Sequence, residues 1–246
     1  MRIYMSHWHV GSTDMNLRNV AVQVRQAAER NCEMVVFPEL FLTGYRGNNP
    51  EDEMRARLLQ VSRGFPAMTC CFGSLSEGGY NRQVVMRGGR QIAHYDKVHL
   101  FRPNQEHEMW EHGQTYASWQ HAGIRIGMAI CNDIRFPEQV RALRMEHGIS
   151  VLVCPALWPA RRDYVWSALL RARAIENNIF VVGCCIASID NGAETFDGAA
   201  NHMFDPNGNE VFDVDRVYTL DHTLLETPLV DTRAQHVDVT DFQLFE

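Results

Sequence analysis

Apolar runs of strand length alternate with longer amphipathic stretches along most of the chain. Side chains that alternate in character, or short continuous apolar runs, indicate strands, and apolar residues three or four apart indicate helices. The predicted strands are Arg2–Trp8, Met34–Phe37, 68–75, 81–86, 90–95, Tyr116–Gln120, Ile124–Ile130, Ile149–Cys154, Ile179–Ile186, Asn201–Asp205, Glu210–Val214 and Val217–Asp221. The predicted helices are Asn16–Arg30, Glu51–Val61, Pro137–His147 and Asp163–Asn177. The tail from Thr223 shows no clear pattern.

The order of these elements predicts the fold class. Gly78-Gly79 and Gly88-Gly89 separate strands that are expected to pair antiparallel, whereas strand-helix-strand order elsewhere favours parallel pairs. Such a mixture predicts an α/β protein with mixed sheets and helices outside them. Because no linker, charge block or repeat divides the sequence, residues 1–246 are expected to form a single domain.

Composition and charge narrow the function classes. The chain has 246 residues, 46% of them hydrophobic and 22% charged, which is typical of a folded globular protein. Its formal charge of −7 argues against nucleic acid as a partner. The longest apolar stretch, Ile179 to Ala187, is far shorter than the roughly 20 residues of a membrane span. Seven cysteines, including two adjacent pairs, do not resemble a secreted disulfide framework. These features predict a cytoplasmic protein that uses neither a membrane nor nucleic acid.

Cys131 differs from the other cysteines in its position. It follows the apolar strand Ile124–Ile130 and precedes the helix that begins at Pro137. A side chain there lies at the carboxyl edge of a sheet, where α/β proteins place ligands and where amide groups favour a thiolate or an oxyanion. Cys131 is therefore a candidate nucleophile.

Two more strand ends carry a charged residue. Glu39 follows the apolar run Val35 to Phe37, and Lys97 follows the run that begins at Ile92. A carboxylate beside a thiol can take its proton, and partial burial raises the basicity of that carboxylate. An ammonium lowers the pKa of a thiol and neutralises an oxyanion. Three strand ends that converge would place these groups together.

Four segments resemble the signature blocks of the nitrilase (carbon–nitrogen hydrolase) superfamily in order and spacing. They are Phe37-Pro38-Glu39-Leu40 with Thr43-Gly44-Tyr45, Tyr95-Asp96-Lys97-Val98-His99-Leu100, Cys131-Asn132-Asp133-Ile134-Arg135-Phe136-Pro137-Glu138, and Arg171-Ala172-Arg173-Ala174-Ile175-Glu176-Asn177. The resemblance extends from about residue 2 to about residue 215. It implies a four-layer α-β-β-α sandwich of two mixed sheets.

The resemblance also implies a Glu-Lys-Cys triad made of Glu39, Lys97 and Cys131. Family members carry a second glutamate on the loop after the lysine, for which Glu106, Glu108 and Glu111 are the candidates and Glu106 fits best. The family chemistry needs no metal or organic cofactor. A homodimer is implied as well, with the region after residue 215 crossing to the partner.

As a hypothesis, Glu39 takes the thiol proton, Cys131 attacks a small amide, and Lys97 with the N–H of Asn132 holds the oxyanion. Hydrolysis of the resulting thioester gives a carboxylic acid and ammonia. The sequence most resembles short bacterial omega-amidases, in segments such as His99-Leu100-Phe101-Arg102 and Leu157-Trp158-Pro159. The alternative is a hydrolase of N-carbamoyl amino acids or amines, because Asn132 and Arg135 resemble the N-carbamoyl amino acid hydrolases. Arg135 is a candidate for binding a substrate carboxylate, or else a structural partner of Glu138 or Asp133.

Three further points stay open at the level of sequence. Ala200 stands where relatives have serine, so a pocket hydroxyl is expected to be missing. His7 and His9 lie on one face of the first strand, which suggests a metal-dependent hydrolase, although no further ligands have a clear match. A catalytically silent binding protein of the same fold is the non-enzyme alternative.

Overall fold

The computed structural model describes residues 1–225. Its strands are β1 (Arg2–Met5), β2 (Trp8–Val10), β3 (Met34–Val36), β4 (Thr69–Glu77), β5 (Tyr80–Arg87), β6 (Arg90–Asp96), β7 (Ser118–His121), β8 (Ile124–Met128), β9 (Val151–Ala156), β10 (Phe180–Asp190), β11 (Thr195–Asp197), β12 (His202–Phe204) and β13 (Val217–Thr219). Its α-helices are α1 (Thr13–Glu29), α2 (Glu51–Gly64), α3 (Glu106–Met109), α4 (Pro137–His147) and α5 (Asp163–Asn177). Short 3₁₀ helices cover Arg102–Asn104, Cys131–Arg135, Ala160–Arg162 and His222–Leu225.

The strands form two mixed sheets. The first has the order β13-β1-β3-β4-β5-β6, with β1, β3 and β4 parallel and the remaining pairs antiparallel. The second has the order β11-β10-β9-β8-β7, and both β2 and β12 also pair with β10. The antiparallel pairs predicted across Gly78-Gly79 and Gly88-Gly89 and the return to strand-helix-strand order are both confirmed.

Helices cover the outer face of each sheet. α1 and α2 pack on the first sheet, α4 and α5 pack on the second, and β4 contacts β9 between the sheets. Along β1, Ile3 and Met5 belong to the core shared with the second sheet, whereas Tyr4 belongs to the core under α1 and α2. This alternation buries both faces of the strand, each large apolar side chain contributing about 2 kcal/mol. The four-layer α-β-β-α sandwich is confirmed.

Two predicted elements differ from the structure. The predicted strand Arg2–Trp8 is two strands in different sheets, because the chain crosses between the sheets after Met5, where Ser6 N–H donates to the Val36 carbonyl (3.0 Å). The predicted strand Glu210–Val214 was wrong. Only its start pairs with β12, and its side chains then turn to solvent, with Phe212 80% exposed.

Close packing of two backbone segments fixes the loop that follows β3. Gly73 has a φ of +36°, and a Cβ at this position would lie 1.7 Å from the Pro38 carbonyl oxygen. Glycine alone tolerates both the left-handed backbone and the close approach. Because Pro38 directly precedes Glu39, Gly73 sets how deeply that glutamate enters the sandwich. Leu40 N–H donates to Ser74 Oγ (3.1 Å) and closes the same loop.

We expect Gly73→Ala to lower the free energy of unfolding by about 3 kcal/mol, because the added methyl group forces the two backbones apart. Gly79→Ala is the matched control. Gly79 also has a positive φ, +83°, but a Cβ added there would meet no other atom within 4 Å. The control therefore carries only backbone strain, about 1 kcal/mol. Urea denaturation followed by circular dichroism measures both values, and equal losses would contradict the packing explanation.

Candidate active site

Strand ends from both sheets meet at one edge of the sandwich. Glu39 follows β3, Lys97 follows β6, and Cys131 lies just beyond the end of β8. Leu157 directly follows β9 and contributes its backbone at the same place. The structure therefore brings together the three residues that the strand-end pattern singled out.

Glu39 is fully buried and both of its carboxylate oxygens accept hydrogen bonds. Oε1 accepts from Lys97 Nζ (2.7 Å) and from Asn81 Nδ2 (2.9 Å). Oε2 accepts from the Leu157 N–H (2.9 Å). This carboxylate is held by groups from three other segments of the chain.

Lys97 is fully buried between two carboxylates. Besides Glu39, its ammonium contacts both oxygens of Glu106, at 3.0 Å and 2.9 Å. Glu106 Oε1 also accepts from the Tyr45 hydroxyl (2.7 Å), and Oε2 accepts from the Phe101 N–H (2.8 Å). Each charged atom of this cluster has partners, as buried charges require.

The structure distinguishes among the three candidate loop glutamates. Gln105 adopts a left-handed conformation with a φ of +57°, which turns the chain so that Glu106, the first residue of α3, points into the sandwich. Glu106 is fully buried, whereas the Glu108 side chain is 62% exposed and Glu111 is exposed. The favoured candidate is thus the one that lies beside Lys97.

Cys131 begins a 3₁₀ helix and has a φ of +47°. Its Sγ lies 3.8 Å from the Leu157 carbonyl oxygen, and the residue is 6% exposed. The first N–H groups of a helix have no acceptor within that helix, so the Asn132 N–H can serve an incoming oxygen atom. The Asn132 side chain is fixed by a bond from Nδ2 to the His99 carbonyl (3.0 Å).

Burial dominates the protonation of this cluster. It raises the pKa of Glu39, and the nearby charge of Lys97 counters only part of the rise. It also raises the pKa of the Cys131 thiol, which the charge of Glu39 raises further and that of Lys97 lowers. Lys97 thus lowers the pKa of the thiol as expected, but desolvation and the carboxylates outweigh its effect. For Lys97, burial acts to lower the pKa, but Glu39 and Glu106 raise it well above its usual range.

A cleft of about 1110 Å³ opens at Cys131 and Asn132. Arg135 lines it and stacks over the Trp158 ring at 4.5 Å. Arg161 and Arg162 also line the cleft, and no carboxylate within residues 1–225 forms an ion pair with any of the three arginines. The structural alternative for Arg135, an ion pair with Asp133 or Glu138, is therefore not what the structure contains.

Two other sequence expectations change. Ala200 does not line the cleft at Cys131 but a separate cavity of about 560 Å³ that also contacts His7, so a serine there would not reach the thiol's cleft. His7 and His9 do lie side by side, their ring centroids 4.8 Å apart. Over the described part of the chain, however, no three His, Cys, Asp or Glu side chains are grouped to hold a metal ion.

Sequence reasoning missed several groups that hold the cluster. Asn81 is the second residue of β5, and the Leu157 N–H belongs to the backbone, so neither carries a sequence signal that indicates chemistry. Tyr45 lies inside a signature block, which could have pointed to its contact with Glu106. All seven cysteines are free and buried, in agreement with the absence of a disulfide pattern.

Comparisons with known proteins identify the family of the chain. The model of the carbon-nitrogen hydrolase family matches residues 5–217. The chain is 30% identical to omega-amidase YafV of Escherichia coli (strain K12) over 207 residues, which are 81% of this chain and 78% of that protein. It is 33% identical to 2-oxoglutaramate amidase of Bacillus subtilis over 166 residues, 63% of this chain and 64% of that protein.

A similar solved structure is that of a CN-hydrolase superfamily protein from Xanthomonas campestris, whose active site contains an arsenic adduct. It matches with a TM-score of 0.81 and 25% identity, covering 100% of this chain and 99% of that chain. Within the described residues, no helix is both long and apolar enough to cross a bilayer. The chain belongs to the carbon–nitrogen hydrolase (nitrilase) family and is an enzyme that hydrolyses carbon–nitrogen bonds.

Proposed function

We propose that the protein is an omega-amidase, which hydrolyses the terminal amide of a short dicarboxylic monoamide to a carboxylic acid and ammonia. The observation that supports the proposal is a thiol that lies beside a buried Glu-Lys-Glu cluster and lines a cleft. Arginines also line this cleft, and they have no carboxylate partner among residues 1–225. Relatives named omega-amidase and 2-oxoglutaramate amidase support this substrate class.

In the first half-reaction Cys131 acts as the nucleophile and Glu39 as the general base. Because the pKa of the thiol is raised, the resting thiol is neutral and needs a base at the moment of attack. The carboxylate of Glu39 accepts that proton as the sulfur attacks the amide carbon, and burial, which raises its pKa, makes it a stronger base. The Lys97 ammonium and the Asn132 N–H stabilise the oxyanion.

The tetrahedral intermediate collapses by breaking its carbon–nitrogen bond. Glu39 returns the proton to the departing nitrogen, so that ammonia leaves and a thioester remains on Cys131. Water then attacks the thioester, and Glu39 accepts a proton from that water. Cleavage of the carbon–sulfur bond releases the carboxylic acid, and Glu39 returns its proton to the departing sulfur, which restores both the thiol and the carboxylate. Every proton in this cycle is carried by the chain's own groups or by water.

Glu106 supports this cycle through Lys97. With Glu39 as its one partner, the Lys97 ammonium would direct its N–H groups to that carboxylate. Glu106 binds the ammonium from a second direction. The lysine then stays charged and keeps one N–H direction for the substrate oxygen. The Tyr45 hydroxyl and Phe101 N–H hold Glu106 in place.

The cleft supports recognition of a substrate carboxylate. Arg135 lies on the 3₁₀ helix of Cys131, with its guanidinium held over Trp158, and its N–H groups have no carboxylate partner among residues 1–225. A guanidinium placed in this way binds a carboxylate through two parallel hydrogen bonds. The amide carbon and the carboxylate of a short monoamide could then occupy Cys131 and Arg135 together.

Cys131→Ala is expected to lower ammonia release by at least about 10⁴-fold while leaving the fold intact, since the nucleophile is lost and a small apolar side chain replaces it. The assay measures ammonia from succinamate and glutaramate, with circular dichroism as the check on folding. Cys32→Ala is the matched control, because Cys32 is also buried but lies beyond the end of α1, outside the cleft. Ammonia release by the Cys131 variant at a rate near that of the wild type would refute the thioester route.

Arg135→Gln is expected to lower kcat/KM for omega-amides about 10- to 100-fold, the effect of losing one charged hydrogen-bonding partner. Neutral amides of similar length should change by less than about threefold. Arg30→Gln serves as control, since Arg30 also lies over an aromatic ring, that of Tyr4, but away from the cleft. The same kinetics are measured for the wild type with N-carbamoyl amino acids. A higher kcat/KM for these than for omega-amides would favour an N-carbamoyl amino acid hydrolase instead.

We also propose that the protein is a homodimer in a reducing compartment, the cytoplasm. Tyr164, Ala168, Ala172 and Ile175 form one apolar stripe along α5, with Tyr164 74% and Ile175 52% exposed. Small side chains between two large ones allow a second helix to approach closely. A reducing compartment keeps Cys131 in its thiol form. The resemblance implies that the region after residue 215 crosses to the partner, and this region lies mostly outside the described residues.

Tyr164→Lys is expected to convert the dimer to a monomer, because a buried lysine without a partner opposes association. Light scattering on the full-length chain measures the mass of both proteins. A monomeric wild type, or a dimer that persists in the variant, would show that this face is not the interface.

A further inference from the structure

A fully buried carboxylate lies two residues after the candidate nucleophile. Asp133 accepts four hydrogen bonds, two at each oxygen. Oδ2 accepts from the Ile130 N–H (2.8 Å) and the Tyr95 hydroxyl (2.8 Å). Oδ1 accepts from the His99 N–H (2.9 Å) and lies 2.9 Å from His99 Nδ1. These four bonds use the acceptor capacity of a carboxylate in full.

The partners of Asp133 come from both segments of the catalytic cluster. Ile130 directly precedes Cys131, so one bond fixes the start of the nucleophile turn. Tyr95 lies two residues before Lys97 and His99 lies two residues after it, so the other bonds hold Lys97 from both sides. One side chain thus links the turn of the thiol to the segment of the ammonium.

Neighbouring groups reinforce the link. The Tyr95 hydroxyl accepts from the Val98 N–H (3.1 Å) and from Gln139 Nε2 (3.0 Å). The His99 ring stacks on Phe136, with the centroids 3.8 Å apart. Because most of the linked groups are buried, each bond is made in surroundings where water competes little.

We propose that Asp133 is a positioning residue that sets the distance between the Lys97 ammonium and the Cys131 thiol. This inference rests on the proposed function. The side chain of Lys97 is itself bound to Glu39 and Glu106, neither of which belongs to the nucleophile turn. Apart from Asp133, the turn holds the Lys97 segment through the bond from Asn132 to the His99 carbonyl.

The chemistry of the site requires a carboxylate here. Asparagine has the same shape, but its NH₂ group would face donors at one of the two oxygen positions. Whichever oxygen the NH₂ group replaced, a backbone N–H, that of His99 or that of Ile130, would then face a second donor. The nucleophile turn and the Lys97 segment would separate, and a displacement of about 1 Å can cost on the order of 10²-fold in rate.

Separating the nucleophile turn from the Lys97 segment would also change the pKa of the thiol, which a general loss of stability would not do. The charged groups that face the thiol are Glu39, Lys97, Glu106 and, at the cleft, Arg135. Lys97 lowers the pKa of Cys131, whereas the two glutamates raise it. Moving Lys97 away therefore raises the pKa of the thiol, and its alkylation requires a higher pH.

Asp133→Asn is expected to lower kcat for an omega-amide about 10²- to 10³-fold, with KM changed by less than about threefold, because the substrate carboxylate is bound elsewhere. The pH profile of iodoacetamide alkylation at Cys131, followed by mass spectrometry of the labelled peptide, should move to higher pH. Rates are expressed per folded protein, as measured by circular dichroism.

The matched control is Asp205→Asn. Asp205 is also buried and accepts bonds from the Asn207 N–H (2.8 Å), the Asn209 N–H (2.8 Å) and Asn209 Nδ2 (3.0 Å), in a turn outside the cleft. Its variant should lose stability with unchanged kinetics and an unchanged alkylation profile. A milder variant, Tyr95→Phe, removes one bond to Asp133 and should move kcat and the alkylation profile in the same direction by less.

The outcomes separate the two proposals. Wild-type kinetics and a wild-type alkylation profile in both Asp133→Asn and Tyr95→Phe would overturn the positioning role, and so would a shift of equal size in the Asp205 variant. If Asp133→Asn does not fold, Tyr95→Phe alone decides the matter. Failure of the wild-type enzyme to release ammonia from any omega-amide would refute the proposed function, while the alkylation profiles would still report on Asp133.

Discussion

The architecture depends on burying one ammonium between two carboxylates. Removing such groups from water costs several kcal/mol for each ion, and their mutual attraction offsets this only when the remaining lone pairs are satisfied. Lys97 bridges Glu39 and Glu106, and Asn81, Leu157, Tyr45 and Phe101 supply the remaining donors. Asn81 belongs to the first sheet, Leu157 directly follows β9 of the second, and the other residues lie on the connections that follow β3 and β6. The cluster is therefore stable only when the two sheets are stacked, which makes the fold a condition of the site.

The same cluster explains why the thiol is not activated in advance. It carries two negative charges and one positive charge, and burial adds to the rise in the pKa of Cys131. A neutral thiol in the resting enzyme is less exposed to oxidation, which proceeds through the thiolate. In the proposed mechanism, Glu39, whose pKa is also raised, accepts the thiol proton only as the sulfur attacks the substrate.

The sequence predicted the candidate site residues best where a reactive side chain directly follows a strand. Glu39, Lys97 and Cys131 each follow a strand, which made them candidates, but the sequence did not show that Cys131 follows a strand of the other sheet. Glu106 was one of three loop glutamates, and only the left-handed turn at Gln105 buries it. The crossing after Met5 was missed because seven residues of strand-like pattern do not show a change of sheet. Ala200 was misplaced because a serine position in relatives does not say which cavity the residue lines.

Within residues 1–225, three of the eight non-glycine residues with a positive φ lie at the candidate site or next to one of its residues. Leu40 follows Glu39 and has a φ of +49°, Gln105 precedes Glu106 and has a φ of +57°, and Cys131 itself has a φ of +47°. Each left-handed conformation costs a residue with a side chain about 1–2 kcal/mol, so it persists only where surrounding contacts compensate. At Leu40 the compensation is the bond to Ser74, and at Cys131 it is the bond from Ile130 to Asp133.

Leucine, glutamine and cysteine carry no sequence signal for such a backbone, because only glycine and asparagine adopt it readily. The turn at Leu40 thus depends on a distant segment of the chain, and the turn at Cys131 depends on Asp133, which Tyr95 and His99 hold from a distant segment. Local pattern predicted which residues end the strands, whereas tertiary packing decides the direction in which they point.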